Sequence, residues 1–218
     1  MRVLATLLLA GLLTGLLAGC TAPSSSTAAG ACDGVQRSSL TLASATHSVA
    51  LLATSKGCIV AELFDDKTPL TVANFRTYAN ETAFDGVLFH RIIKDFMVQT
   101  GSMAQDGQFR AATHPPVKNE AASSGLKNAA YTLSMARTQS ADSATNQFFI
   151  NHADNTFLDP SGSSAGYAVF GTVVKGRDVV DAIAATPVEA YAPGKHCQPD
   201  SQPSCPTTDI VLQTVRIL

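Results

Sequence analysis

No block of lysine and arginine occurs in this chain, and none of its 218 residues is tryptophan. The first absence removes the electrostatic footprint that phosphate-backbone binding requires, so no nucleic acid is expected as a partner. The overall balance agrees, with 15 Lys and Arg against 17 Asp and Glu and a net charge of −2. The second absence leaves no indole N–H donor for any site. Beyond Cys20 no apolar run approaches the roughly 20 residues of a membrane span. The mean hydropathy of +0.14 therefore reflects the apolar N-terminus. No internal repeat is present, and the cysteines and histidines match no usual zinc-ligand spacing. No metal and no cofactor are expected.

What is present begins with a targeting pattern. Met1-Arg2 supplies positive charge, and Val3 to Ala18 is apolar except for Thr6, Gly11, Thr14 and Gly15. The run closes on Leu17-Ala18-Gly19-Cys20, so a basic start, an apolar core and a small-residue exit make an export signal. Leu-Ala-Gly-Cys resembles the bacterial lipobox, in which the cysteine is lipidated and the chain is cut just before it. The expected organisation is a lipoprotein signal peptide over 1–19, a lipidated Cys20 with flexible linker and leader over 20–46, and one folded domain over 47–218. Thr21 to Ala31, small and polar, reads as a tether. The protein is then exported and anchored by lipid on Cys20. In a Gram-negative cell, Thr21 in place of Asp points to the periplasmic face of the outer membrane. Otherwise the anchor lies in the outer face of the cell membrane.

With Cys20 committed to lipid, Cys32, Cys58, Cys197 and Cys205 remain. An even number in an oxidising compartment predicts two disulfides with three pairings open. Cys197–Cys205 is the local option, in a Pro-rich loop, and Cys32–Cys58 would then tie the leader to the first strands. His196 beside Cys197 admits a rival metal reading, but the spacing does not favour it.

Val49–Thr54, a Ser55-Lys56-Gly57 turn and Cys58–Phe64 read as a β-hairpin. Lys67-Thr68-Pro69 opens a helix to about Asn80, with Thr68 able to cap and Pro69 at the first helical position. Further strands are predicted at Val87–Ile93, Phe96–Thr100, Tyr131–Ala136, Gln147–Asn151, Ala168–Val174 and Ile210–Leu218, and a second helix at Arg177–Ala184. The fold class is mainly β, a closed eight-stranded antiparallel barrel capped by two α-helices.

The densest group of informative residues is Phe89-His90-Arg91-Ile92-Ile93-Lys94-Asp95-Phe96-Met97-Val98-Gln99. Ser134-Met135-Ala136-Arg137, Ser143 to Asn151 (SATNQFFIN), Asn155 to Asp159 and Tyr167 to Gly171 (YAVFG) follow it. In this order the segments resemble the cyclophilins, the peptidyl-prolyl cis–trans isomerases, and most closely their bacterial periplasmic branch. The resemblance runs from about Val49 to Leu218. It implies that Arg91 is catalytic and that Phe96, Met97, Phe149 and Leu158 receive a proline ring. It also implies that Gln99 grips substrate backbone, that Ala136 and Arg137 pair with the peptide, and that Gln147 lines the groove.

The chain departs from many relatives in carrying Phe157 where they have Trp, Tyr167 where they have His, Arg137 for Asn and Thr100 for Gly. Without the indole donor, weak cyclosporin binding is expected. The partners implied are proline-containing segments of unfolded or exported proteins, met by a monomer. A binding module that holds such segments without turnover, and an envelope scaffold, are the competing readings. Gly162-Ser163-Ser164-Ala165-Gly166 fits G-x-S-x-G, but a nucleophile elbow needs a strand before it and a helix after it. Here Asp159-Pro160-Ser161 precedes the motif and a predicted strand follows. His90 is expected to be buried and hydrogen-bonded, and His47, His114, His152 and His196 to be solvated.

Overall fold

Apolar residues on both strands and a two-residue turn, Ser55-Lys56, make Val49–Thr54 (β1) and Gly57–Leu63 (β2) an antiparallel hairpin, from Val49 opposite Glu62 to Thr54 opposite Gly57, so Gly57 belongs to the strand rather than to the expected turn. This hairpin lies at the middle of one sheet in the computed structural model, which describes residues 28–218. The expected signal peptide, the lipid site Cys20 and Thr21 lie outside the described residues. The other strands of the sheet are Val87–Leu88 (β3), Arg91–Ile93 (β4), Met97–Thr100 (β5), Thr132–Met135 (β6), Phe148–Asn151 (β7), Val169–Lys175 (β8) and, numbered last, Val211–Ile217 (β11). Their order is β3-β11-β1-β2-β8-β6-β7-β5-β4, antiparallel throughout. Val188–Glu189 (β9) and Cys205–Pro206 (β10) form a separate two-stranded ladder.

The closed eight-stranded barrel expected from the strand count is not what forms. The sheet has nine strands, and its edges β3 and β4 are not paired with each other. The ninth strand arises because the segment Val87–Ile93 is two strands rather than one. Phe89 and His90, both fully buried, carry the chain between them and place β3 and β4 at opposite ends of the ladder. The curled sheet is thus bridged by covalent chain where hydrogen bonds stop.

Helices Pro69–Asn80 (α1) and Arg177–Ala184 (α3) stand where the sequence predicts them, and a single turn, Ala121–Ser124 (α2), adds a third. Phe75 of α1 meets Phe84 at 5.2 Å, Phe148 at 5.3 Å and Phe170 at 5.1 Å between ring centroids, an aromatic cluster inside the curl. The expected cap of α1 is different, however. Thr68 donates its hydroxyl backwards to the Phe64 carbonyl at 3.3 Å. The free N–H groups of Leu70 and Thr71 are instead taken by the buried Glu120 carboxylate, at 3.2 and 2.8 Å. A carboxylate at a helix N-terminus also meets the positive end of the dipole.

Residues 28–46, which the sequence assigns to linker and leader, pack onto the sheet. Every residue of β1 is buried, because its inner face joins the main core while Val49, Leu51 and Ala53 meet Cys32, Val35, Leu40 and Leu42 outside. Two disulfides form, Cys32–Cys58 and Cys197–Cys205, with Cα separations of 5.1 and 5.3 Å. The first joins this leader to β2. Glu62 of β2 holds the leader too, accepting from the Ala43 and Ser44 N–H groups at 3.0 Å each. His47, expected to be solvated, is buried here: its ring nitrogens meet Glu62 at 2.8 Å and Asp66 at 2.7 Å. Its predicted exposure fails because the partners come from strand β2 and the turn after it. The G-x-S-x-G segment lies in a loop between the short 3-10 helix Thr156–Leu158 and β8, without the strand-turn-helix setting of an elbow.

Candidate active site

Strand pairing decides which side chains share a face. Residues directly opposite each other in an antiparallel pair point the same way, and successive residues alternate. Arg91 stands opposite Gln99, and Gln99 opposite Phe149, so β4, β5 and β7 present all three in one row. Ile93, Met97 and Asn151 form the next row on the same face. Ile92, Val98 and Ile150, between these rows, point into the main core. The inward set therefore fixes the register, and with it the outward set.

Above the outward rows lies a groove of about 410 Å³. Met97, Phe149 and Leu158 form its apolar floor, flanked by Ile93, Phe96, Ala136 and Tyr167. Arg91, Phe96, Met97, Gln99, Ala136, Arg137, Gln147, Phe149, Leu158 and Tyr167 all line it, so nearly all of the expected site residues converge. Phe157 does not. It is 69% exposed and stacks on Phe96, centroids 5.5 Å apart, at the outer margin.

The turn between β4 and β5 accounts for Phe96. Asp95 takes a φ of 60°, a left-handed conformation that Asp tolerates better than most residues, and the chain doubles back. The Phe96 carbonyl then accepts from Asn155 Nδ2 at 2.8 Å, and Asn155 Nδ2 also reaches Asn151 Oδ1 at 2.7 Å. Asn151 in turn donates to Thr132 Oγ1 at 2.9 Å, and Ser134 donates to Asn128 Oδ1 at 2.8 Å. This buried polar network ties the 3-10 helix bearing Leu158 to the strands bearing Phe149 and Met97. Such groups are costly unless satisfied and confer definite geometry when they are.

Polar groups along the groove are held as well. Gln99 Nε2 donates to Gln147 Oε1 at 2.8 Å. Arg137 lies 4.5 Å from the Tyr167 ring centroid and donates from Nε to the Gly166 carbonyl at 2.9 Å. Gly101, just after β5, has a φ of 115°, and a Cβ there would come within 2.2 Å of the Asn146 carbonyl oxygen. Glycine is required for the Asn146-Gln147 segment to approach so closely.

His90 is buried as expected but lacks the expected hydrogen bond, since neither ring nitrogen has a partner of good geometry. Burial, reinforced by the adjacent Arg91 charge, outweighs polar contacts from the Leu88 backbone and Gln147 and pushes its pKa down to about 4. The ring is neutral at physiological pH.

Residues not identified from the sequence complete the site. Thr138, Ser143, Thr145 and Gln198 also line the groove, and Asp200 Oδ2 accepts from Arg91 Nε at 2.5 Å. Burial alone would raise the Asp200 carboxyl, but the hydrogen bond and charge of Arg91, with the Ser201 N–H, hold it below the usual carboxylate range. Its only sequence signal was the flanking cysteine pair, which marks a constrained loop but not where that loop lies.

Residues 49–208 match the family of cyclophilin-type peptidyl-prolyl cis–trans isomerases. The chain is 46% identical over 176 residues to peptidyl-prolyl cis-trans isomerase A of Dickeya dadantii, covering 81% of this chain and 87% of that protein. It is 45% identical over 167 residues to peptidyl-prolyl cis-trans isomerase B of Escherichia coli K12, covering 75% and 96%. A crystal structure of a cyclophilin-type peptidyl-prolyl cis-trans isomerase from Cryptosporidium parvum superposes with a TM-score of 0.66 at 20% identity, over 79% of this chain and 98% of that one, which supports the fold. With most of its length matched by the family and nearly half of the aligned residues identical to those of bacterial members, the chain belongs to the cyclophilin-type peptidyl-prolyl cis–trans isomerases.

Proposed function

We propose that this isomerase acts on extended, proline-containing segments of exported or envelope proteins, with Arg91 assisting rotation about the X–Pro bond. One observation carries the reading: the Arg91 guanidinium stands beside an apolar floor large enough for a proline ring, in the same row as the amide of Gln99. An X–Pro bond prefers trans by only about 0.5–1 kcal/mol, yet its barrier is about 18–20 kcal/mol because rotation breaks amide resonance. At the twisted geometry the prolyl nitrogen becomes pyramidal and gains a lone pair. A guanidinium donor meets that lone pair and cannot be used as well by the planar ground state, so the interaction lowers the barrier. Seating the ring on Met97, Phe149 and Leu158 stabilises binding by roughly 1.5–3 kcal/mol and holds it while the preceding carbonyl swings. Gln99, and the backbone at Ala136 and Arg137, hold the peptide chain.

Export is supported by the signal pattern over 1–19 and by two disulfides, which persist in oxidising compartments. Lipidation of Cys20 places the protein on the membrane surface that the lipobox pattern implies. Weak cyclosporin binding follows from Phe157, which has no ring N–H to donate.

The test is exchange spectroscopy on a proline-containing peptide with the full chain and its Arg91→Ala variant in mild detergent. Losing one charged transition-state donor lowers the exchange rate about 30- to 1000-fold. Unchanged exchange in a folded Arg91→Ala variant rules out this role for Arg91. Peptide binding without exchange in the parent makes the groove a binding module.

A further inference from the structure

The loop from Cys197 to Cys205 does more than close on itself. The N–H of Ile92, beside Arg91 on the free edge of β4, donates to the Ser204 carbonyl at 2.9 Å, and the Ser204 N–H reaches the Glu189 carbonyl at 3.2 Å. The loop is thereby fastened along the strand that carries Arg91, with the disulfide drawing its two ends together. At its tip the Asp200 carboxylate divides its oxygens. Oδ1 accepts from the Ser201 N–H at 2.7 Å, within the loop, and Oδ2 accepts from Arg91 Nε. Side-chain exposure is only 9% for Asp200 and 20% for Arg91.

The choice of nitrogen matters. Nε lies at the root of the guanidinium fork, so a carboxylate there fixes the plane while leaving the terminal nitrogens to the groove. Nη1 rests 3.7 Å from Met97 Sδ, over the apolar floor. Arginine on a three-residue edge strand otherwise has several torsions to sample, and an unheld fork spends much of its time off the reacting nitrogen.

We infer that Asp200 is a positioning residue for Arg91, presented by the loop that the Cys197–Cys205 disulfide closes, so that full isomerase activity depends on this cystine. The inference rests on the catalytic reading of Arg91, and the experiment separates the two. Peptide affinity and the exchange rate at saturation are measured by NMR for the full chain. The variants are Arg91→Ala, Asp200→Ala, Asp200→Asn, the double Arg91→Ala/Asp200→Ala, and the pair Cys197→Ser/Cys205→Ser, each checked for a native amide spectrum.

Asp200→Ala is expected to slow saturated exchange about tenfold, some 1.4 kcal/mol of barrier, with peptide affinity changed less than about twofold. Asp200→Asn, which keeps a neutral acceptor, recovers part of the rate. The cysteine pair reproduces the Asp200→Ala loss, and in the Arg91→Ala background Asp200→Ala changes nothing further. An unchanged or faster rate in Asp200→Ala and Asp200→Asn, with Arg91→Ala inactive, overturns the inference and makes the carboxylate neutral or inhibitory. Full activity in Arg91→Ala overturns the catalytic reading beneath it.

Discussion

Two histidines with opposite environments make stability peak near neutral pH. His90 is fully buried between β3 and β4 with no hydrogen bond of good geometry, and burial holds its pKa at about 4 against an ordinary 6.5. Protons therefore bind the unfolded chain more readily. This contribution is intact above 6.5 and is lost as pH falls from 6.5 towards 4. By linkage the loss reaches about 2–3 kcal/mol near pH 4.5. His47 works in the other direction. Burial alone would lower its pKa, but the hydrogen bonds and charges of Glu62 and Asp66 outweigh it and raise the value above 6.5. That stabilisation is fully present below 6.5 and disappears as pH rises through the folded value. The two windows meet rather than overlap. Urea unfolding followed by circular dichroism, which suits a chain without tryptophan, measures both limbs. His90→Asn should abolish the acid limb between about pH 6.5 and 4.5, above the ordinary carboxylate pKa values, and His47→Asn the alkaline one, whatever each costs at the maximum. A parent whose stability is flat from pH 6.5 to 4.5, or a loss over that range that survives His90→Asn, refutes the reasoning.

Two other outcomes follow from the packing. Replacing Cys32 and Cys58 by Ser opens a loop with a sequence separation of 26, which lowers stability by about 3.5 kcal/mol on the chain-entropy account. Peptide exchange should stay unchanged at temperatures where the variant is folded; slower exchange would mean that the leader reaches the site. Phe149→Ala removes the aromatic ring of the groove floor and should weaken peptide binding at least tenfold in an NMR titration, while costing about 3–5 kcal/mol of stability. Unchanged affinity would show that the proline ring sits elsewhere.

Much of the groove could be read from sequence because its residues sit in short motifs that resemble those of a known family. The resemblance to the cyclophilins grouped Arg91, Met97, Gln99 and Phe149; period two alone puts only Met97 and Gln99 on one face of β5, and Arg91 and Phe149 join them through the pairing of β4 and β7 with that strand. Helix α3 is legible from Val179, Val180 and Ile183, of which Val180 and Ile183 are buried and Val179 packs half-buried against the core. What escaped depends on partners distant in sequence. The break of Val87–Ile93 into two strands comes from Phe89 and His90 turning into a core that the segment itself does not announce. Glu120 caps a helix some fifty residues earlier, and Glu62 buries a histidine that looked like a surface residue. Asp200 lies 109 residues from the arginine it holds. No periodicity records such a pairing.

The cystine between Cys32 and Cys58 also sets how the domain bears load. Tension on the chain ahead of Cys32 passes through the sulfurs into β2, which is paired on both sides by β1 and β8. The span between the two cysteines, a separation of 26 residues or about 90 Å of extended chain, is shunted out of the force path. A pull therefore meets the middle of the sheet first and leaves the packed leader under no strain. The groove, several strands away around the curl, is mechanically remote from the point where the N-terminal chain enters.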